Sequence, residues 1–301
     1  MERSYILHMF TPGKQMSPFD INMAVDAGYQ VVVPYCGVSA GEITGLTQDA
    51  IFSRGPKGVK ATGIFIGGRD VLLAADMLEA ARKAMVPPFE VSVIADPSGS
   101  YTTAAALVAC VERQLQRSHG TDLAGKRVLI LGGTGTVGRI AGVLAAGLGA
   151  EVTLGSHRDA ATAREAARAT GERFGCTLEG AGLAEREARR AALAEADVVL
   201  ATAAAGVQVV SADERALANR LLVAADVNAV PPEGIAGVGV MDDGKALPEG
   251  KAVGIGALAV GNVKYQTEHQ LLVAMRNAEK PLYLGFREAF AKAREIIAAK
   301  G

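Results

Sequence analysis

Short apolar runs and amphipathic stretches alternate along this chain from its first residues. Tyr5 to Phe10 reads as a short strand, and Thr11 to Pro18 as a loop. Ser17-Pro18-Phe19-Asp20 then has the chemistry of a helix start, with Ser17 as N-cap and Pro18 in the first turn. That helix should end at Ala27-Gly28. The β-branched run Gln30 to Pro34 predicts a second strand. Residues 39–58 show no clear period and carry turn signals at Gly41, Gly45 and Gly55-Pro56. Gly63 to Ile66 is a buried strand, Gly67 to Asp70 a turn, and Val71 to Ala84 an amphipathic helix. Phe89 to Ala95 is the next strand, and Tyr101 to Arg117 the next helix. Strand–helix alternation of this kind predicts a parallel sheet with helical crossovers.

The pattern restarts after a boundary near His119 to Asp122. Strand 128–131 leads to helix 137–148, and strand Glu151 to Leu154 to helix Asp159 to Phe174. Leu183 to Glu195 reads as helix, while Asp197 to Ala201, Leu221 to Asp226 and Val253 to Leu258 read as strands. Helix is expected from Gly261 onward and again from Leu282 to Ala299. The fold class is therefore α/β in two domains, the second a doubly wound parallel sheet of Rossmann type. The predicted division is 1–122, joined by returning helices 265–301, and 123–264.

Composition narrows the function. The 301 residues are long enough for two domains of roughly 100–200 residues, and 50% of them are hydrophobic. A net charge of −1 argues against an electrostatic grip on nucleic acid or on an anionic membrane. Cys36, Cys110 and Cys176 are far apart, so neither a disulfide framework nor a zinc site is expected, and a reducing cytoplasm fits. The four histidines have no metal-ligand spacing, so no metal is expected. No run of about 18 uncharged apolar residues suggests a membrane span, and Met1-Glu2-Arg3 does not begin a secretory signal.

The candidate chemistry centres on Gly133-Thr134-Gly135-Thr136-Val137-Gly138. A strand precedes this G-x-G-x-x-G and a helix follows it, which is the context of a dinucleotide site. Gly133 is expected to make the tight turn, Gly135 to admit a pyrophosphate, and Gly138 to pack helix on strand. The rival reading is a structural turn. An NAD-selective site of this kind carries an acid at the end of the next strand. Here Leu154-Gly155 is followed by Ser156, His157 and Arg158, which offer donors to a 2′-phosphate, with Asp159 beside them. NADP, or both NADP and NAD, is expected; the alternative is an ordinary solvated loop. Ala203 lies in a run of small residues that leaves room in the sheet crevice. Asn228 could bond a carboxamide or its own loop backbone. In the first half, Phe19, Asp20, Ser98, Ser100 and Thr102 sit at strand-to-helix junctions where ligands collect in α/β sheets. Asp20 is equally a good first-turn acid, and Ser98 or Ser100 a good N-cap.

Six segments in order carry a resemblance: Ser17 to Asp20, Gly63 to Gly68, Gly99 to Ala105, Gly132 to Gly138, Asp226 to Gly234 and Gly256 to Lys264. Together they resemble the bacterial NAD(P)-dependent methylene-tetrahydromethanopterin dehydrogenases, which serve one-carbon oxidation in methylotrophs. The resemblance implies a pterin-binding α/β domain before the Rossmann domain, a tetrahydromethanopterin-type substrate between them, and a homo-oligomer. It places Lys264 in the active site as a hydrogen-bond donor, where the rival is a surface lysine. A strictly NADP-dependent branch has two basic residues where this chain has Ser156 and His157, so the resemblance points to the branch that also accepts NAD. The related bifunctional folate enzymes carry Tyr-x-x-x-Lys for hydrolysis of the methenyl product. None of the six tyrosines here has Lys four residues on.

The implied reaction removes hydride from a carbon between two nitrogens, leaving a delocalised amidinium cation. No proton leaves that carbon, so positioning and electrostatics matter more than a general base. Asp20 could anchor pterin donors and favour the cation. Two alternatives stand beside this reading: the same oxidation of methylene-tetrahydrofolate, and a non-catalytic NAD(P)-binding sensor.

Overall fold

The computed structural model describes residues 3–248 and 250–299. In chain order the first elements are β1 Ile6–Thr11, α1 Pro18–Asp26, β2 Val31–Cys36, α2 Ile43–Phe52, β3 Thr62–Ile66, α3 Val71–Lys83, β4 Ser92–Ala95 and α4 Ser100–His119. They are followed by β5 Arg127–Leu131, α5 Thr136–Gly147, β6 Glu151–Ser156, α6 Ala160–Phe174, β7 Glu179–Gly182, α7 Arg186–Glu195 and β8 Val198–Ala201. The chain ends with α8 Ala212–Arg215, β9 Val223–Asp226, β10 Asp243–Ala246, β11 Val253–Ile255, α9 Ala257–Asn277, β12 Tyr283–Leu284 and α10 Phe286–Ala298.

Two compact units divide the chain. One holds the residues through Thr102 together with Tyr265–Lys292, the other Thr103–Lys264 and the residues from Ala293. The sequence places the first division at 122/123, just beyond the end of α4 at His119. In the structure the passage falls inside α4, because its first turn is tied to the first sheet. The buried Asp96 carboxylate accepts from the Tyr101 and Thr102 amides at 2.8 and 3.2 Å and from the Thr102 hydroxyl at 2.5 Å.

In the first unit five parallel strands lie in the order β2-β1-β3-β4-β12. This is the 2-1-3-4-5 order of one of the two common doubly wound sheets. β3 and β4 are buried at every position, which is why they read as continuous apolar runs rather than as alternation. Tyr101 anchors α4 beneath them: its hydroxyl donates to the Val71 carbonyl at 2.6 Å, and its ring meets Phe286 edge-on.

Two elements of this unit depart from the sequence pattern. Residues 39–58 contain the helix α2, whose buried face is Ile43, Thr47, Ala50 and Ile51. That spacing is helical, but only two of the four residues are large and apolar, and flanking glycines obscure it. The expected helix from Leu282 instead begins at Phe286. Leu282 bonds both ways with β4, through Val93 N to its carbonyl at 2.8 Å and from its own amide to Ser92 Oγ at 3.0 Å. Pairing covers the open edge of β4, and this overrides local propensity.

In the second unit the order is β7-β6-β5-β8-β9-β11 in parallel, with β10 antiparallel on the β11 edge. The parallel six follow the 3-2-1-4-5-6 order of the dinucleotide-binding sheet. One face of the core is built from Leu129, Leu131, Val199, Ala201 and Ala224 packed with Leu193, Val210 and Ile235. β7, with the sequence Glu-Gly-Ala-Gly, has no apolar period to betray it. Its glycines serve packing: a Cβ on Gly182 would lie 2.6 Å from the Ala160 amide, where α6 begins.

His8 supplies a pH lever in the first sheet. Its Nδ1 lies 3.1 Å from the Tyr35 hydroxyl across the β1–β2 pair. Burial, with the Arg54 guanidinium as the smaller cause, holds its pKa below the usual 6.5. The unfolded chain therefore takes up this proton more readily. The stability that His8 contributes is complete above the unfolded value and is lost as pH falls through the folded one. Thermal melts should show the wild type losing more Tm between about pH 7.5 and about pH 5 than His8→Gln does. Equal losses would show that His8 is not the group responsible.

Candidate functional site

In doubly wound sheets ligands sit beyond the C-terminal strand edge where strand order reverses. In the first unit that point lies between β1 and β3. A cavity of about 640 Å³ opens there, lined by Thr11 to Ser17 after β1, by Asp20 on α1, by Gly68, Arg69 and Asp70 after β3, and by Ser98 after β4. The loop after β1 is held in place: Gly13 N donates to Thr11 Oγ1 at 3.1 Å, and Gly37 N to the Gly13 carbonyl at 2.9 Å. Asp70 caps α3 through the Leu72 and Leu73 amides. Ser98 adopts a left-handed φ of 54°, unusual for a residue with a side chain. Its hydroxyl bonds the Gly68 carbonyl at 2.8 Å, joining the loops after β3 and β4. Asp20 is 2% exposed, so its carboxylate is presented from a largely dry position.

The structure thus brings Asp20 and Ser98 to one cavity. Phe19 stands beside it on α1 and is 46% exposed. Ser100 and Thr102 are buried, and their hydroxyls turn inward: Ser100 donates to the Pro97 carbonyl at 2.5 Å and Thr102 to Asp96. Both belong to the frame of the β4–α4 junction and lie outside the lining of this cavity. Lys264 is half-buried in α9, at the last position assigned to the second unit. Lys14, Gln15 and Arg69 line the cavity although sequence reading did not single them out. The available signal was their position in loops that follow parallel strands.

In the second unit a glycine turn follows β5 and leads into α5, with one part of the expected motif reassigned. The left-handed residue is Gly132, φ 75°, one position before the motif. A Cβ there would stand 2.6 Å from the Ala203 amide. Gly133 has ordinary backbone angles and is needed for contact with β6: its Cβ would lie 2.7 Å from the Ile130 carbonyl and 2.8 Å from Leu154 Cα. Gly138 seats α5 on the turn: a Cβ on it would lie 2.7 Å from Gly133 Cα and 2.8 Å from Thr202 Oγ1. Gly135 is the least crowded of the four, since a Cβ on it would meet only the Gly132 carbonyl, at 3.2 Å.

Gly135 is also the N-cap of α5 and supplies no capping side chain. The first intrahelical bond is Arg139 N to the Gly135 carbonyl. The Thr136, Val137 and Gly138 amides at the helix start therefore have no acceptor within the helix. A helix N-terminus of this kind favours an anion through both its amides and its dipole. α3 and α6, by contrast, are capped by Asp70 and Asp159. Thr134 and Ala203 flank the turn. Ser156, at the end of β6, lies beside it through the bond from Gly133 N to the Gly155 carbonyl at 3.0 Å.

Ser156 is buried, and its oxygen accepts from the Arg158 amide at 3.1 Å. His157 and Arg158 are exposed just beyond it. Asp159 caps α6 through the Thr162 amide at 2.6 Å, the main cause of its lowered pKa. Its carboxylate is thereby engaged away from the β6 end. Asn228 bonds backbone at three points: Oδ1 accepts from Gly206 N and Val230 N, each at 3.0 Å, and Nδ2 donates to the Pro232 carbonyl at 2.7 Å. Of the two roles open to it, loop capping is the one these bonds display. Asp226, 1% exposed, accepts from the Asn228, Gly234 and Ile235 amides at 2.9, 2.6 and 3.2 Å. Burial raises its pKa, and the three amides oppose that rise. Among the described residues no group of three or more His, Cys, Asp or Glu could hold a metal ion, and no helix is long and apolar enough to cross a membrane.

Known proteins match over both units. The model of the methylene-tetrahydromethanopterin dehydrogenase N-terminal domain matches residues 18–98. The chain is 51% identical over 296 residues to the NAD(P)-dependent methylenetetrahydromethanopterin dehydrogenase of Methylorubrum extorquens, covering 98% of this chain and 99% of that one. It is 31% identical over 291 residues to the bifunctional protein MdtA of the same organism, covering 97% and 98%. Among solved structures, ornithine carbamoyltransferase from Pyrococcus furiosus matches with a TM-score of 0.52 at 16% identity, covering 92% of this chain and 86% of that one. At that identity the likeness concerns fold alone.

The turn geometry separates stability from binding. Gly135→Ala should lower Tm only slightly, since its methyl group would crowd just the Gly132 carbonyl, yet weaken NADP binding at least tenfold in a fluorescence titration, because it adds bulk at the cap of the uncapped helix. Gly133→Ala should lower Tm strongly, by the equivalent of about 2–3 kcal/mol, because backbone must shift. The opposite assignment of effects would refute this division of roles. Asp226→Ala should cost roughly 2–4 kcal/mol in denaturant unfolding, since it strands buried amides.

Proposed function

The chain belongs to the methylenetetrahydromethanopterin dehydrogenase family, and from that premise we propose that it oxidises methylene-tetrahydromethanopterin by hydride transfer to NAD(P)+, yielding the methenyl cation and NAD(P)H. The observation that carries this reading is the pairing of two sites of opposite character. One is a cavity at the β1–β3 crossover with the buried Asp20 carboxylate. The other is the N-terminus of α5, which begins at Gly135 and has no capping side chain.

The residues of the second unit fit a dinucleotide. The α5 amides would hold the pyrophosphate, and His157 and Arg158 would face the adenosine ribose. The bound nicotinamide supplies the hydride acceptor. No acid is available at the end of β6, because Asp159 caps α6. An exposed arginine there favours a 2′-phosphate, and the absence of a second adjacent cation leaves NAD acceptable. Dual use of NADP and NAD is the cofactor assignment.

In the first unit Asp20 would accept from the donors of the pterin ring and orient it. The C–H bond breaks with its electron pair leaving as hydride, so the product carries one more positive charge than the substrate. A fixed carboxylate therefore stabilises the product side. Lys264 would donate a hydrogen bond to the substrate. Ser98 holds two lining loops together and is a positioning residue. We place the enzyme in the cytoplasm as a homo-oligomer serving one-carbon oxidation.

The test is a two-by-two assay of methylene-tetrahydromethanopterin and methylene-tetrahydrofolate against NADP and NAD, read at the nicotinamide absorbance. Turnover of the methanopterin substrate with both nucleotides is expected. Turnover of the folate substrate alone would reassign the carrier, and no turnover at all would overturn the reading. Asp20→Asn should lower kcat/KM for the pterin by about 10–100-fold with NADP affinity unchanged. Arg158→Ala should raise KM for NADP about tenfold and leave KM for NAD unaltered. If Asp20→Asn and Lys264→Gln both left turnover intact, these two residues would have no part in the reaction.

A further inference from the structure

At the opposite edge of the first sheet, where β1 and β3 begin, lies a second cavity of about 550 Å³. A strand of six residues separates it from the Asp20 cavity by roughly 20 Å. Its lining carries four cations, Arg3, Lys57, Lys60 and Arg276, against one carboxylate, Glu279. Among the described residues none of the four cations forms an ion pair. Elsewhere the cations are commonly matched, as in Arg127 with Glu151, Arg168 with Glu165 and Glu172, and Arg189 with Glu214. In a chain of net charge −1, four unmatched cations around one hollow is an unbalanced arrangement.

The cavity is also shaped for its guanidinium groups. Arg3 lies where a side chain on Gly58 would stand, and Arg276 occupies the same place over Gly28. Arg276 further rests on the Tyr5 ring, with 5.7 Å from its guanidinium carbon to the ring centroid, and its Nε donates to Asn277 Oδ1 at 3.2 Å. Two planar forks are thus seated on two glycines, with two lysines beside them. Guanidinium forks match the oxygens of a phosphate in paired hydrogen bonds, and lysines add point charge.

We propose that this cavity binds a small, multiply charged anion of the phosphate type at a site separate from the dinucleotide and pterin sites. Its occupant relieves the mutual repulsion of four like charges. The anion is either free phosphate or the phosphoryl group of an organic molecule.

Calorimetric titration of the full chain tests this, with NADP present at saturation so that the α5 amides are already filled. Inorganic phosphate, pyrophosphate and ribose 5-phosphate are the probes. One equivalent of pyrophosphate should bind, more tightly than phosphate and more weakly as salt is raised. Lys60→Ala and Arg3→Ala should each weaken it about tenfold, as for loss of one charge-assisted hydrogen bond. Gly58→Ala keeps every charge but fills the seat of Arg3, and should weaken binding similarly. Lys57→Ala, at an exposed position, remains a valid test should Arg3→Ala fail to fold. Ribose 5-phosphate binding tighter than phosphate would assign an organic ligand; equal or weaker binding would assign the free ion. Absence of saturable binding up to about 10 mM, or affinity unchanged in all the variants, would overturn the proposal.

Discussion

Parallel strands deliver the loops that follow them to one edge of the sheet, and the buried amides of those loops must find acceptors. In each unit a buried aspartate at the end of a strand supplies them. Asp96, after β4, takes up the Tyr101 and Thr102 amides. Asp226, ending β9, takes up those of Asn228, Gly234 and Ile235. Neither residue is placed to meet a ligand through these bonds. They fix the backbone on which the ligand-facing residues stand, and their burial makes the arrangement costly to disturb. Asp226 carries that cost openly: burial raises its pKa even though three amides pull the other way.

Legibility in the sequence followed how strongly each element advertised its burial. β3, β4 and β5 were readable because buried parallel strands are nearly all apolar. β7 was hidden because its inward positions are glycine, chosen for the approach of α6 rather than for apolar area. β12 was hidden because two residues acquire strand geometry only from an edge that already exists. At the sites, the glycine motif located the turn and misplaced one of its parts, the tight turn. Gly132, outside the motif, takes the left-handed angle, and Gly133 is a packing glycine. A regular expression records spacing, and spacing cannot say which neighbour each missing Cβ makes room for. The hydroxyls of Ser100 and Thr102 show the same limit from the other side. A polar residue at a strand-to-helix junction either caps the junction or faces a ligand, and only the inward hydrogen bonds decide between them.

If the two sites are used as proposed, the two units meet opposite recognition problems with the same architecture. A dinucleotide brings negative charge, so the helix at the β5 turn must be left uncapped. The chain does this by placing Gly135 at the cap, where α3 and α6 carry aspartate. A pterin ring brings N–H donors, and its oxidation brings positive charge. At the equivalent crossover of the first unit the neighbouring helix α3 is closed by Asp70, and the acid Asp20 is offered from α1. Exchanging the two arrangements would place a carboxylate against phosphate and bare amides against ring donors, each opposing its ligand. If the sites are used as proposed, the cation would form beside the unit that presents a buried carboxylate, and the anionic carrier would be held by the unit that presents amides.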